Sequence, residues 1–182
     1  MEIRLLGYRA TGKSTVGKVL ARELCVPFWD TDELVECRSA KSIRQIVAQE
    51  GWEAFRAMER DVVLELLEMG PSVIALGGGA VLDFKVRKAL GAAGLNVWLQ
   101  AGPKTILERM AMDPWNSSRR PALAPWGPEE EVLTLLGERE PLYREVAHLA
   151  VTTDHKSVRE IVREILLQVK QPTQKSLAGR VG

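Results

Sequence analysis

Short apolar runs alternate along the chain with longer stretches in which apolar residues recur at helical spacing. Short runs of this kind are typical of buried strands, and the longer stretches are typical of amphipathic helices. The alternation predicts a parallel sheet covered by helices, because parallel strands are joined by helical crossovers. The predicted strands are Ile3 to Leu6, Val26 to Trp29, Val73 to Leu76, Asn96 to Leu99 and Leu149 to Thr152.

The predicted helices lie between these strands, at residues 13–24, 42–50, 53–68, 83–91, 103–112, 129–145 and 157–169. The last helix carries its apolar residues on one stripe, so we expect it to cover the core rather than bind a partner. The pattern therefore predicts an α/β fold, a three-layer, doubly wound, five-stranded parallel sheet, in one domain over residues 1–170. Residues 171–182 are polar, contain Pro and Gly, and are predicted to form a flexible tail.

The segment 113–128 interrupts helix on both sides with four prolines, one glycine and two tryptophans. A long loop in a compact domain is usually functional or disordered. The neighbouring Arg119 and Arg120 favour a functional loop, and we expect a mobile lid here.

Trp98, on a predicted strand, and Trp52, before a predicted helix, are expected in the core.

Composition narrows the class of partner. The 182 residues are 46% hydrophobic and 27% charged, which suits one globular domain. The formal net charge is +1, so no overall field attracts nucleic acid or an anionic membrane, and any anion must be bound locally. No apolar run approaches the roughly 20 residues of a membrane span, and the N-terminus begins with a strand pattern rather than a leader. We expect a cytoplasmic protein.

Residues 7–15, GYRATGKST, join the first predicted strand to the first predicted helix. Gly7, Gly12, Lys13 and the hydroxyl residues Ser14 and Thr15 match the P-loop pattern, in which backbone N–H groups and a helix N-terminus surround phosphate oxygens. The lysine follows the β- and γ-phosphates, and the first hydroxyl can bind Mg²⁺. A glycine-rich turn without a ligand is the weaker interpretation. The loop thus predicts a nucleoside triphosphate with Mg²⁺.

Two features of this loop are less regular. Ala10 and Thr11 stand at inner positions where a further glycine is common, and they require only backbone angles that a Cβ tolerates. Arg9 points either to solvent or across the nucleotide.

Asp30 and Asp32 follow the second predicted strand. If extended, they point to the same side at the carboxyl edge of the sheet, where open α/β sheets bind ligands. One carboxylate near Mg²⁺ and one near a substrate hydroxyl suit phosphoryl transfer. The alternative is a solvated turn that caps the next helix.

Three later signals are each ordinary when taken alone. Arg56 and Glu59 lie three residues apart on one helical face and can pair. Glycines 77–79 follow the third predicted strand and allow close approach of the backbone to a ligand. Arg139 lies four residues before Tyr143 on a helix and can bind a carboxylate or phosphate through its planar fork.

Six stretches of the sequence, taken in order and with their gaps, together resemble the shikimate kinase family over residues 1 to about 170. They are GYRATGKST, DTD, FRAMER, GGG, RRPAL and REPLYREVA. Gluconate kinases and nucleoside monophosphate kinases share the P-loop and sheet, but are not expected to show the later stretches together.

The resemblance implies a cytosolic enzyme of aromatic amino acid biosynthesis that moves the ATP γ-phosphate to the 3-hydroxyl of shikimate. We expect a monomer that has ATP and shikimate as its partners. It implies that Asp30 holds Mg²⁺ with Ser14, and that Asp32 binds the shikimate hydroxyls and is the candidate base. It also implies catalytic roles for Lys13 and for Arg120, which reaches the transferring phosphate.

For substrate binding, the resemblance implies that Arg56 and Arg139 grip the shikimate carboxylate, with Glu59 positioning Arg56. The backbone of Gly78 and Gly79 lines the ring, and Arg109 lies along the adenine. Two alternatives stay open at this point: another small-molecule P-loop kinase such as a gluconate kinase, and a nucleotide-binding module without transfer activity.

Overall fold

The sheet has five parallel strands in the spatial order β2-β3-β1-β4-β5. The computed structural model describes residues 1–113 and 127–170, and the strand count refers to these. Arg119, Arg120, nearly all of the predicted lid and the tail 171–182 lie outside the described residues. The strands are β1 Ile3–Leu6, β2 Phe28–Asp30, β3 Val73–Ala75, β4 Leu95–Gln100 and β5 Leu149–Thr152. The predicted fold class is confirmed.

The helices lie between these strands, as predicted, with one short 3₁₀ turn at Ala80–Leu82. None of them in the described part is long and apolar enough to cross a membrane. They are α1 Lys13–Leu24, α2 Thr31–Ser39, α3 Ile43–Leu66, α4 Phe84–Leu90, α5 Pro103–Met112, α6 Pro128–Val146 and α7 Val158–Lys170.

One element prediction needs correction. Helix α2 was not predicted, because it begins at the residue after β2 with no intervening turn and has no clear apolar stripe. The predicted helices 42–50 and 53–68 are confirmed as the two helical segments of α3, because Gly51 between them has a φ of 85° and a ψ of 171°, which are not helical and form a kink. Ser42 caps the start of α3, since its side chain accepts a hydrogen bond from the Gln45 N–H.

Alternating residues of the strands supply two separate cores. Leu6, Ile74 and Trp98 pack with α2, α3, α4 and α6 on one face of the sheet. Leu5, Val97 and their neighbours pack with α1 and α7 on the other. The apolar stripe of α7 lies in this second core, which confirms that it is a packing surface. The result is a sheet between two helical layers.

The crevice between β1 and β3 determines where a ligand can bind. The chain leaves β1 for β2 at one edge of the sheet and leaves β3 for β4 on the other side of β1, so the topology reverses here. Ligands of open α/β sheets bind at such points, beyond the carboxyl ends of the strands. The loops after β1 and β3 are close: a Cβ added to Gly78 would lie 3.2 Å from the Arg9 backbone N and 3.4 Å from the Gly7 O.

Candidate active site

The loop of residues 7–15 needs glycine at both of its pattern positions. Gly7 has a φ of 138°, and a Cβ there would collide with the Leu99 carbonyl and lie 2.9 Å from the Thr11 Oγ1. Gly12 caps the N-terminus of α1 with a φ of 94°. Both φ values belong to a region that L side chains rarely adopt. The loop shape therefore depends on these two residues.

The inner loop positions differ from each other. Thr11 is buried, and its hydroxyl donates to the Tyr8 O at 2.8 Å, which closes the turn. Ala10 has a φ of 62°, so it departs from the expected Cβ-tolerant angles and lies in the left-handed region. That conformation costs a non-glycine residue about 1 to 2 kcal/mol. The loop keeps the P-loop shape here against the local preference of its sequence.

A pocket of about 370 Å³ lies over this loop. This is within the usual size of small-molecule sites. Its walls come from the loop, the end of β2, α5 and the residues after β5, and include Lys13, Ser14, Thr15, Asp30, Asp32, Arg109, Thr153 and Lys156. The Lys13 Nζ donates to the Gly7 O and the Tyr8 O, each at 2.8 Å, so its ammonium stays over the phosphate loop.

Arg109 joins three parts of this pocket. Its guanidinium donates to the Ala10 O at 3.2 Å and to the Thr153 Oγ1 and O, each at 3.0 Å. It thus ties α5 to the phosphate loop and to the segment after β5. This position on the pocket wall is compatible with the predicted contact to adenine, which stays a prediction.

Ser14 and Asp30 form the part of the pocket that can hold a cation. The Ser14 hydroxyl donates to the Asp30 Oδ2 at 2.5 Å. Burial raises the pKa of Asp30, the Asp32 charge raises it further, and the bond from Ser14 lowers it. A divalent cation would offset the buried negative charge, and hydroxyl and carboxylate oxygens are ligands that Mg²⁺ accepts.

No group of three or more acidic, His or Cys side chains in the described residues could hold a metal alone. Mg²⁺ is usually bound by one or two protein oxygens together with water and substrate phosphates.

The two aspartates lie at the pocket, but not in the predicted way. Asp30 is the last residue of β2, whereas Asp32 lies in the first turn of α2, so the expected extended pair is wrong. Asp30 also caps α2, accepting from the N–H groups of Asp32 at 3.0 Å and Glu33 at 3.4 Å. The capping alternative was therefore right about Asp30, except that both carboxylates are buried rather than solvated.

A second pocket adjoins the first. Elements far apart in sequence contribute to it, and Arg9 and Asp32 also line the first pocket. Its other lining residues are Ile43, Trp52, Phe55, Arg56, Glu59, Gly78, Gly79 and Arg139. The site residues predicted on α2, α3, the glycine turn and α6 are thus brought together.

Glu59 holds Arg56 in this pocket. The Arg56 Nη1 donates to the Glu59 Oε2 at 2.5 Å, and the guanidinium lies 5.1 Å from the Phe55 ring centroid and 5.5 Å from that of Trp52. Glu59 is 2% exposed, and burial raises its pKa to about 7 although the Arg56 charge lowers it. The predicted pairing on one helical face is confirmed.

Crowding rather than φ requires glycine after β3. A Cβ on Gly77 would collide with the Glu59 carboxylate and lie 2.6 Å from the Asp32 Oδ1. A Cβ on Gly79 would collide with the Arg56 guanidinium. Larger residues here would displace the charged groups that line the second pocket.

Helix α6 closes the other side of this glycine turn. The Arg139 Nη1 and the Tyr143 hydroxyl both donate to the Gly78 O, at 3.2 Å and 2.5 Å. Arg139 is 5% exposed, and its Nε has no hydrogen-bond partner within the described residues, nor has the Glu59 Oε1. Buried polar atoms are nearly always bonded, so these two are suited to a bound polar ligand.

Some lining residues were missed or misjudged. Trp52 lies within α3 and packs against the first core, as expected, but it also lines the second pocket. Its spacing of four from Arg56 was a usable signal for this second role. Trp98 is buried in the core as predicted. Arg9 does not point to solvent. It lines both pockets and forms an ion pair with Glu131 of α6. No local signal predicts a pair 122 residues apart.

Comparisons with known proteins identify the family of this chain. A family model described as shikimate kinase matches residues 9–170. The chain belongs to the shikimate kinase family. Family membership makes it an ATP-dependent kinase. The shikimate kinase of Rhodopirellula baltica is 40% identical over 162 residues, 89% of this chain and 87% of that protein. A shikimate kinase of Thermus thermophilus is 43% identical over 164 residues, 90% of this chain and 87% of that protein.

Solved structures show the same relationship. A shikimate kinase from Acinetobacter baumannii in complex with shikimate has a TM-score of 0.86 at 35% identity and covers 92% of each chain. A shikimate kinase from Aquifex aeolicus has a TM-score of 0.79 at 35% identity, covering 93% of this chain and 96% of that one. A gluconokinase from Sinorhizobium meliloti, at a TM-score of 0.64 and 23% identity over 91% of this chain and 89% of that one, shares the fold.

Proposed function

We propose that this chain transfers the γ-phosphate of ATP to the 3-hydroxyl of shikimate, giving ADP and shikimate 3-phosphate. The observation that supports this reaction is that the P-loop pocket adjoins a second pocket. The second pocket contains two arginines and shares Asp32 with the first. Shikimate has one carboxylate and three hydroxyls, which suits two arginine forks and one aspartate.

On the nucleotide side, the backbone of the loop between Gly7 and Gly12 cradles the phosphates, and Lys13 follows the transferring group. Ser14 and Asp30 would hold Mg²⁺, which supplies positive charge beside the β- and γ-phosphates when bound. Thr15 lies at the start of α1 on the pocket wall. Arg109 lies at the side of the pocket where the base would be, between α5 and the segment after β5.

On the acceptor side, Arg56 and Arg139 bind the shikimate carboxylate. Glu59 fixes the direction of Arg56, and Tyr143 and Arg139 hold the turn whose Gly78 and Gly79 backbone lines the ring. The orphaned Arg139 Nε offers a donor to the ligand. Two charge-assisted contacts of this kind stabilise binding far more in a buried site than on a surface.

The phosphoryl transition state is loose, so alignment and charge neutralisation contribute more than a strong base. Asp32 adjoins both pockets and orients the acceptor hydroxyl, taking its proton late in the transfer. Lys13 neutralises charge on the transferring group. The predicted role of Arg120 at that group lies outside the described residues and stays part of the proposal.

The remaining proposals concern the whole chain. One domain over residues 1–170 functions as a cytoplasmic monomer, with a lid at about 113–128 that closes over both substrates and a tail at 171–182. Closure would exclude water and suppress ATP hydrolysis. Protection of the lid from protease only when both substrates are present would support this.

One assay tests the function against its alternatives. ADP release is measured by a coupled assay with shikimate, gluconate and a nucleoside monophosphate, each at saturation with ATP and Mg²⁺. We expect ADP release with shikimate and not with gluconate or the nucleoside monophosphate. Release with gluconate instead would favour a gluconate kinase, whose Sinorhizobium example shares the fold. ATP binding without release under any condition would favour a binding module.

A further inference from the structure

Arg9 lies at the junction of the two pockets. Among the described residues, the other cationic side chains divide between the two sites. Lys13, Arg109 and Lys156 line the first pocket, here called the nucleotide pocket. Arg56 and Arg139 line the second pocket, here called the acceptor pocket. Arg9 lines both, as does Asp32. A phosphoryl group that passes from one pocket to the other must cross this junction.

Glu131 holds the Arg9 side chain there. The Arg9 Nη2 donates to the Glu131 Oε1 in an ion pair whose side chains are 14% and 3% exposed. Glu131 lies in the first turn of α6, next to Val132, which packs with Tyr8 and Ile106 in a small core under the phosphate loop. The pair thus joins the phosphate loop to the helix that carries Arg139.

Stability alone is a weak reason for this pair. Burying two charges is costly, and apolar residues of similar volume often replace such a pair without loss. The guanidinium groups of Arg9 and Arg139 lie 5.8 Å and 5.4 Å from the Tyr8 ring centroid, so two positive charges are held near one ring. A carboxylate is needed to keep the second cation beside the first.

We propose that Glu131 is a positioning residue for phosphoryl transfer, and that it acts by holding the Arg9 guanidinium at the junction of the two pockets. The held cation lies on the path of the transferring group and neutralises charge as the group leaves the nucleotide for the acceptor. This inference rests on the proposed function, because it requires an acceptor in the second pocket.

A double-mutant cycle tests it, with Arg9→Met, Glu131→Gln and the double variant. We expect Arg9→Met to lower kcat by about 10²-fold, as loss of one preorganised charge-stabilising group does. Glu131→Gln should lower kcat by roughly 10-fold, because the guanidinium remains but is less well oriented. The double variant should match Arg9→Met in kcat, because the proposed effect of Glu131 on the transfer acts through Arg9.

The readouts separate positioning from folding. The melting temperature and the folded fraction are measured for each variant, and kcat is expressed per folded molecule. We expect KM for ATP to change little. The double variant removes both charges of the pair, so it keeps the test valid if a single variant is unstable. The matched control is the same cycle at Arg38 and Glu65, an exposed ion pair that lines neither pocket, where kcat should not change.

Three outcomes would overturn the inference: wild-type kcat in the folded double variant, kcat losses that add independently, or losses explained by the folded fraction. The wild-type chain is first assayed with shikimate. If it phosphorylates another acceptor instead, the proposed function fails, and the cycle is run with that acceptor to test the role of Glu131 separately.

Discussion

The nucleotide pocket and the acceptor pocket share a wall but are built in different ways. The first is centred on nine consecutive residues, and its shape comes from backbone: two glycines with positive φ and a helix N-terminus. The second is made of side chains from α2, α3 and α6 around a glycine turn, and its charges are arranged by contacts such as Arg56 with Glu59.

This difference determines which amino-acid substitutions each pocket tolerates. A backbone cradle accepts varied side chains where the φ angles permit, and Ala10 with its φ of 62° shows that even this condition can be strained. A cradle of buried charges depends on each partner, because removal of one leaves the other unpaired in a poorly solvated place. Substitutions should therefore have separable effects on the two substrates.

Lys13→Met should have the largest effect. The backbone cradle remains, but the ammonium held over it by two carbonyls is lost, so we expect kcat to fall by about 10³-fold. Shikimate binding, measured by titration without nucleotide, should change little, because Lys13 does not line the acceptor pocket. The control is Lys18→Met, in the same helix with an exposed side chain. Equal losses in both variants would contradict the assignment.

Asp32→Asn should affect both pockets, because Asp32 lines each of them. The amide keeps the shape but cannot take the proton of the acceptor hydroxyl, and loss of a general base lowers rates by about 10²- to 10⁴-fold. We expect the lower end, since the transfer relies more on charge neutralisation. Steady-state kinetics at saturating shikimate measure this. Near-normal turnover would exclude both proposed roles for Asp32.

Arg139→Lys should act on the acceptor alone. A lysine keeps the charge but loses the planar fork that donates to the Gly78 O and, in the proposed function, also binds the shikimate carboxylate. We expect KM for shikimate to rise about 10- to 100-fold, with KM for ATP nearly constant. Arg144→Lys is the control, because Arg144 lies on the same helix at an exposed position. A rise in KM for ATP of similar size would show that the two pockets are not separable here.

The same contrast explains what the sequence could predict. The nucleotide pocket is local, so the order Gly7, Gly12, Lys13 and Ser14 predicted it directly. The pairing of Arg56 with Glu59 was also predicted, because a helix brings residues three apart together. The pair of Arg9 with Glu131 depends on how α6 docks against the phosphate loop, and no periodicity encodes that docking.

The prediction of secondary structure has the same limit: local patterns are predicted and boundaries without a local signal are missed. The five strands were predicted within two residues at each end because buried strands leave short apolar runs. Helix α2 was missed since Asp30 serves at once as the end of a strand and the cap of a helix, leaving no turn to mark the boundary. The error mattered: it led to the extended arrangement expected for Asp30 and Asp32.

Gly79→Ala tests whether crowding shapes the acceptor pocket. Its methyl group would occupy the place of the Arg56 guanidinium, so the arginine must move. We expect KM for shikimate to rise by roughly 10-fold, as for loss of one charge-assisted contact. Gly137→Ala is the matched control: nothing lies within 4 Å of a Cβ there, and α6 should gain about 1 kcal/mol in stability. An unchanged KM in Gly79→Ala would contradict the crowding argument.

Glu59 gives the subtlest distinction, through the dependence of stability on pH. Burial raises the pKa of Glu59 from 4.5 to about 7, with Arg56 and Arg139 lowering it and Asp32 raising it. In the unfolded chain the group loses its proton at the lower pH, so between the two pKa values the folded state binds more protons. The free energy of unfolding therefore falls as the pH rises from about 4.5 to about 7, and is level with respect to this group above that.

Urea unfolding of the wild type and Glu59→Gln, from about pH 5 to about pH 8, measures this contribution. We expect the wild type to lose on the order of 1 to 3 kcal/mol relative to the variant over that range. Asp30 also has a raised pKa, so it makes the free energy of unfolding fall with rising pH in both proteins. Comparison with the variant therefore removes the contribution of Asp30. Parallel curves would mean that Glu59 is already ionised throughout the range, and that the Arg56 charge outweighs burial in the acceptor pocket.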